Sequence, residues 1–474
     1  MATLGMAFDI ASNALEADQS ALNIVANNVA NASTAGYTRE IANWQENDPV
    51  TINGITYGQG AEVTGPVSQR DRVLNESLQQ QNQIASASSA RLTALDQLQS
   101  IFSGATSADS SSSSSTTNGI SQDISAFFTS LSQMESSPSD DSLREQVLTS
   151  AQNLAGDFQS AASQVTEQQT SLDQQSASLV DQINALTQSI AQLNVQIQST
   201  SPNSDAGTLE DQRQQDISQL SQLIGVHQIQ TEDNGLTITT SSGALLVSEA
   251  QSYALSTAPS GGVTHFYDAE GNDITASLAT GGGQIGGLLT VRDQDIPQVQ
   301  SSLDTLAYDL GSALNAANEA GSDANGNAGV AIFNLPSSSS GAAAAISVAI
   351  SSPSQIAAAA AGLGSSDDTN LLAMANLANQ TIVAGATPAN YFSDFVSALG
   401  SLVSEVQTQN AAQQASATQL QNVVNSLSSV DLNEEASSME TLEQSYQAAA
   451  KVFTILASVM TSALNLGVPT TYTS

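Results

Sequence analysis

The chain has 474 residues, with 8 Lys and Arg against 45 Asp and Glu, a formal net charge of −37, and no cysteine. Such a field repels nucleic acid and anionic membranes, which are bound by clustered cations that displace counterions. The inventory also excludes disulfides, thiolate metal sites and thiol catalysis, and at only 4% aromatics it suits long, thin helical packing better than a compact enzyme core.

The eight cations (Arg39, Arg70, Arg72, Arg91, Arg144, Arg213, Arg292 and Lys451) are scattered, and none precedes Arg39. The N-terminus therefore lacks the basic opening of a cleavable secretory signal. No apolar run reaches the roughly 18 residues of a membrane span. A soluble chain is expected, with any export running outside the conventional signal route.

In chain order, Leu4, Phe8, Ala11, Leu15, Asp18, Leu22, Val25 and Val29 follow 4-3-4-3-4-3-4 spacing. That places a heptad-type stripe, apolar except for Asp18, on one helix face. The helix is predicted to stop near Ala32, at the Ser33-Thr34-Ala35-Gly36 turn. Residues 41–65 predict short strands, with Asn53-Gly54 as a hairpin turn. Helix resumes over 70–102, and the Ser/Thr/Gly/Ala run 103–118 predicts a flexible loop. A long helical region interrupted near Pro138 follows. Its Leu172, Ser176, Leu179, Ile183, Leu186, Ile190, Leu193 and Ile197 stripe predicts a coiled-coil arm ended by Pro202.

The period changes over 226–279, where Leu236, Ile238, Leu245, Val247, Tyr253 and Leu255 alternate with polar residues between glycines. A small antiparallel β insert, projecting outward, is expected there. Helix returns over 285–320, then a Gly/Ser/Ala region with short strands at most, then helices over 370–430 and 434–466. In the last one, Met439, Leu442, Tyr446, Ala449, Phe453, Leu456, Met460 and Ala463 repeat the heptad spacing. Two such ends can pair as a coiled coil and leave a second face for neighbours. The fold class expected is mainly α with a β insert, elongated and multidomain, with nested discontinuous domains.

Catalytic and metal motifs do not survive their structural context. Gly281-Gly282-Gly283-Gln284-Ile285-Gly286 spells a dinucleotide fingerprint, but no strand precedes it and no βαβ alternation surrounds it. Asp323-Ala324-Asn325-Gly326-Asn327-Ala328-Gly329 lacks the glycine and glutamate positions of a calcium loop. Asp268-Ala269-Glu270-Gly271-Asn272 is predicted to be a hairpin tip. His227 and His265 stand without partners at ligand spacing, and no carboxylate dyad can be singled out. Trp44 is expected in local core. Asp18 is either a solvent-facing edge residue or a polar contact that sets register between subunits. No enzyme and no cofactor are expected.

The run Ala26-Asn27-Asn28-Val29-Ala30-Asn31-Ala32-Ser33-Thr34-Ala35-Gly36-Tyr37-Thr38-Arg39 resembles the N-terminal signature of bacterial flagellar axial proteins. Tyr446-Gln447-Ala448-Ala449-Ala450-Lys451-Val452 is similar to that family's matching terminal helix. Asp431-Leu432-Asn433-Glu434-Glu435, residues 286–293 and residues 321–329 resemble the hook-associated protein 1 subfamily. The chain departs from the pattern at Ala35, where a proline is usual, at Glu443-Gln444-Ser445, where Gln-Gln is common, and in its tail beyond Leu466.

The resemblance implies a structural subunit between flagellar hook and filament, unfolded export through the flagellar type III channel, and terminal helices that order on assembly. Implied partners are copies of itself in a ring, the hook protein, a second junction protein (hook-associated protein 3) and an export chaperone. Residues 1–34 with 434–474 are expected to form the terminal assembly unit, 35–232 with 285–433 a helical core, and 233–284 the insert. The assembly residues it points to are Leu15, Asp18, Leu22, Val25, Asn27, Asn28, Asn31, Gly36, Tyr37, Arg39, Leu442, Tyr446, Gln447, Ala449, Phe453 and Leu456. Other classes to weigh are a hook or distal-rod subunit, or a secreted acidic adhesin.

Overall fold

The computed structural model describes residues 2–52, 54–102, 119–200, 206–231 and 234–465. The loop expected at 103–118, the Pro202 stop, Asn53 of the hairpin turn and the tail after Leu466 lie outside them. Helix α1 (Ala2–Asn31) leads into a ribbon of strands β1 (Glu40–Glu46), β2 (Val50–Ile52), β3 (Ile55–Tyr57) and β4 (Ala61–Ser68). β1 pairs antiparallel with β4, and β2 with β3 at the tip. Helices α2 (Arg72–Phe102), α3 (Gly119–Glu135), α4 (Asp141–Thr200) and α5 (Thr208–Leu223) follow. At 60 residues, α4 runs about 90 Å at 1.5 Å per residue, so the body is elongated.

The α4 stripe is buried, but it has two partners. Ile217, Leu220 and Ile224 at α5 meet it on one side, and a sheet covers the other. That sheet is β5 (Val226–Gln230), β6 (Leu236–Thr240), β7 (Leu245–Ser248) and β8 (Gln251–Ser252), in order and antiparallel, followed by the hairpin β9 (Ser256–Ser260) and β10 (Val263–Tyr267).

The β region is therefore not an outward projection. Its Ile238, Leu246, Val247 and Phe266 are fully buried in the same apolar core as the helices. Two asparagines of α4 complete its strand edges. Asn184 gives Nδ2 to Leu255 O and accepts from Leu255 N, while Asn194 donates to Leu236 O and Glu249 O. The sheet begins at Val226, ahead of the expected boundary at 233, because β5 is needed to pair β6.

Helices α6 (Thr275–Gly281) and α7 (Gly283–Thr290) meet at the glycine run that spelled a nucleotide motif. Gly283 holds φ of +72°, and a Cβ there would come within 2.5 Å of the Ile224 backbone. The glycines serve a backbone crossing. A π-helical turn, Val291–Asp295, joins α7 to α8 (Ile296–Glu319).

Two tiny ladders then appear, β11 (Gly321–Ser322) with β14 (Ala359–Ala360) and β12 (Phe333–Asn334) with β13 (Ser347–Val348), around the short α9 (Ala342–Ala345). Asp323 takes the backbone N–H groups of Asn325 and Asn327, so the calcium-like run is a closed turn. Helices α10 (Thr369–Asn376), α11 (Pro388–Ser428) and α12 (Leu432–Asn465) complete the chain. Thr387 caps α11, its hydroxyl accepting from Asn390 N, and α11 packs along α2.

One half-buried contact works against the fold. On α3, burial and the adjacent Asp157 carboxylate push the Asp123 carboxyl up to about 6. Its proton is held in the folded state between its unfolded value and about 6, so stability falls as pH rises through that window and stays reduced above it. Asp123→Asn is expected to raise the unfolding free energy at pH 7 by on the order of 1 kcal/mol, after discounting for solvent screening. The gain disappears below about pH 4; denaturant titrations at both pH values check this.

Candidate functional site

Helices α1 and α12 lie side by side, with the Phe8 and Phe453 rings 4.4 Å apart near one end. Leu15, Leu22, Leu442, Ala449 and Leu456 are half-buried in the seam, while Tyr446 is exposed; Val25 is buried on α1. The ribbon covers another side of α1 through β1 and β4.

The signature motif closes the other end as a polar knot. Asn28 is 1% exposed and makes four hydrogen bonds. Its Nδ2 donates to Glu40 O at 2.7 Å and Glu435 Oε2 at 3.1 Å, and its Oδ1 accepts from Tyr37 Oη at 2.8 Å and Glu40 N at 3.0 Å. The side chain thus stands in for a neighbouring strand at Glu40 and satisfies every donor and acceptor an amide has. Arg39 Nε donates to the other Glu435 oxygen at 2.6 Å, and its Nη1 reaches Glu434 at 2.9 Å. The exposed Gly36 turns at φ +80°, which a Cβ disfavours. Exposed Asn27 accepts from half-buried Asn31, steadying the last turn of α1.

The charges tune one another. Burial raises the Tyr37 phenol, helped by Glu40, Asp211 and Glu435, so it donates as a neutral hydroxyl. For Arg39, burial opposes the charge, but its bonds to Glu435 and Glu434 outweigh that and hold it above its ordinary value.

The knot also reaches the body. Thr38 gives its N–H and hydroxyl to Asp211 of α5, and Arg70 pairs with Glu210 and Asp211. Arg39 N donates to Ser428 O at the end of α11. Glu435, Asp211, Glu210 and Arg70 belong to the knot although the sequence did not single them out; only the Asp431–Glu435 similarity pointed at one of them.

Three of the cations that are scattered in sequence come together in space. Arg70, Arg72 and Arg213 line one cleft with Glu210. Arg213 is lowered to about 10, chiefly by burial against Glu210's opposing attraction, with repulsion from Arg70 and Arg72 adding. His265 is not solitary either, since Nδ1 lies 2.6 Å from Asp273 Oδ2. Trp44 is 47% exposed rather than core. Among the described residues, no group of three or more His, Cys, Asp or Glu is arranged to hold a metal ion, and no helix is long and apolar enough to cross a membrane.

Asp18 is buried, not an exposed edge residue. It is 4% exposed, and its Oδ2 has no hydrogen-bond partner. An unsatisfied buried acceptor costs about 1–3 kcal/mol, so the α1 seam carries a built-in weakness. Asp18→Leu is expected to stabilise the terminal pair by roughly that amount, read as slower hydrogen exchange across α1. Faster exchange would show that Asp18 has a stabilising role.

Residues 105–333 match the family described as the flagellar hook-associated protein FlgK helical domain, and residues 8–38 match the flagella basal body rod protein family. Flagellar hook-associated protein 1 of Salmonella typhimurium is 30% identical over 341 residues, covering 69% of this chain and 59% of that protein. The Bacillus subtilis protein of the same name is 25% identical over 370 residues, covering 71% of each. The chain thus spans about 59% of the length of the Salmonella relative. The flagellar hook junction protein FlgK from Burkholderia pseudomallei shares the fold, with a TM-score of 0.66 at 21% identity, over 73% of this chain and 99% of that one. With its helical body and its homologous span matching one group, and its first helix matching the related rod protein family, this chain resembles the flagellar hook-associated protein 1 family.

Proposed function

We propose that the chain is a structural subunit of the bacterial flagellum, a hook-associated adaptor at the hook–filament junction, and not an enzyme. The observation that carries this reading is the knot, in which Asn28 and Arg39 tie the N-terminal motif to the last helix through Glu435 and Thr38 ties it through Asp211 to a helical body of the hook-associated type. The terminal unit (1–34 with 434–474) assembles, the helical core (35–232 with 285–433) spaces the subunits, and the β segment (233–284) braces the core. Copies form a ring that meets hook protein below and a second junction protein above. The subunit travels unfolded through the flagellar type III channel with an export chaperone and functions outside the cell. The assembly residues are those of the terminal seam and knot.

The match of residues 8–38 to the rod protein family favours a second reading, a rod or hook subunit. Immunogold labelling of isolated flagella separates the two. Gold at the hook–filament boundary supports the junction; gold along the hook or in the basal body supports the other reading.

A further inference from the structure

The outer face of α12 carries a second stripe. Ala448, Val452, Ile455 and Val459 follow 4-3-4 spacing and are exposed, with Ile455 at 61%, while Phe453, Leu456 and Met460 sit half-buried on α1. Beside the stripe is Lys451, an exposed cation with no ion-pair partner among the described residues. Farther up the same helix, a cleft of about 350 Å³ opens between α1, α12 and the ribbon, with one apolar wall of Ile24, Ile41, Trp44 and Leu442 and a polar remainder that includes Ser437, Ser438, Thr441 and the charged groups of the knot. The exposed carboxylates of Glu434 and Glu440 lie within two turns of Thr441.

Resting on the assembly reading above, we propose that the Val452–Val459 stripe of one copy docks in the Trp44 cleft of a second copy. Three features argue for a copy of this chain as occupant. An apolar stripe at helical spacing fits the apolar wall that Ile24, Ile41, Trp44 and Leu442 give the cleft, the mode by which amphipathic helices are bound. Lys451 then meets Glu434 and Glu440, a charge match in a chain whose net charge of −37 otherwise opposes self-association. Donor and acceptor surfaces also differ and are offset along one helix, so the contact is head-to-tail and repeats, as a ring or stack requires.

The absence of cysteine makes the test clean. Thr441 and Ile455 lie fourteen residues apart on α12, about 21 Å along the axis, so cysteines placed there cannot join within one chain. Full-length chains carrying T441C, I455C or both would be oxidised mildly and run without reductant. The expected result is a ladder of trimers and larger species from the double variant only, cut about tenfold by Lys451→Glu and kept by Lys451→Arg. Dimers from I455C alone with no ladder from the double variant would mean stripe-to-stripe pairing and overturn the proposal. So would the absence of any cross-link from chains that co-purify with flagella. A ladder from a chain absent from isolated flagella would sustain this contact and sink the flagellar reading instead.

Discussion

Arg39→Ala is expected to part the two terminal helices from each other at the knot while leaving the body folded. The Glu435 side chain is 1% exposed and Arg39 13%, so the pair is desolvated, and losing one partner of such a pair costs about 3–5 kcal/mol. Asn28 still donates to Glu435 Oε2, but a neutral amide does not replace the lost cation. Because the contact joins residues 396 positions apart, its loss uncouples α1 and β1 from α12 rather than melting either helix. Protease cutting and hydrogen exchange are expected to rise in 2–46 and 432–465, with α2, α4 and α11 unchanged. Adding Glu435→Gln keeps an acceptor for Asn28, removes the stranded charge, and is expected to recover much of the protection. Unaltered exchange at the ends in Arg39→Ala would show that the knot does not hold the pair.

Arg292→Met is expected to lower the unfolding free energy of the body by about 3–5 kcal/mol. The side chain is 1% exposed. Its Nη1 donates to Asp173 Oδ1 and Thr264 O, its Nε and Nη2 grip Asp293, and its guanidinium lies 5.9 Å from the Phe266 ring centroid. It sits in the π-helical turn and clamps the β9–β10 hairpin to α4. Burial works against its charge, yet the bonds to Asp293 and Asp173 prevail and hold it above its ordinary value. Asp173 is held below the usual carboxylate value, with burial outweighed by the Thr264 hydroxyl and N–H and by Arg292. The stability it contributes is present above its unfolded value and is lost as pH falls through the folded one. Methionine fills the space but strands the carboxylates. Denaturant unfolding followed by circular dichroism measures the shift.

Periodicity was the most legible level. The stripes Leu4–Val29 and Met439–Ala463 announce their helices because i, i+3 and i+4 residues share a face whatever the tertiary fold. The switch at 226 likewise marks the sheet, since a period of two is local. Its docking was not legible, because Asn184 and Asn194 read as polar helix residues and their strand partners are 42 to 71 positions away. The knot was half visible: Asn28, Tyr37 and Arg39 stand out through the resemblance, while buried Glu435 reads as one more acid among 45. Trp44 escaped for the opposite reason. Its size predicts burial, yet on the ribbon it walls an open cleft.

The most direct measurement is electron microscopy of cells lacking this gene, with the culture supernatant assayed for flagellin. Hooks that end bare, with flagellin lost to the medium, are the predicted result for a subunit that joins hook to filament. Flagella of normal form, or cells without hooks, would contradict it.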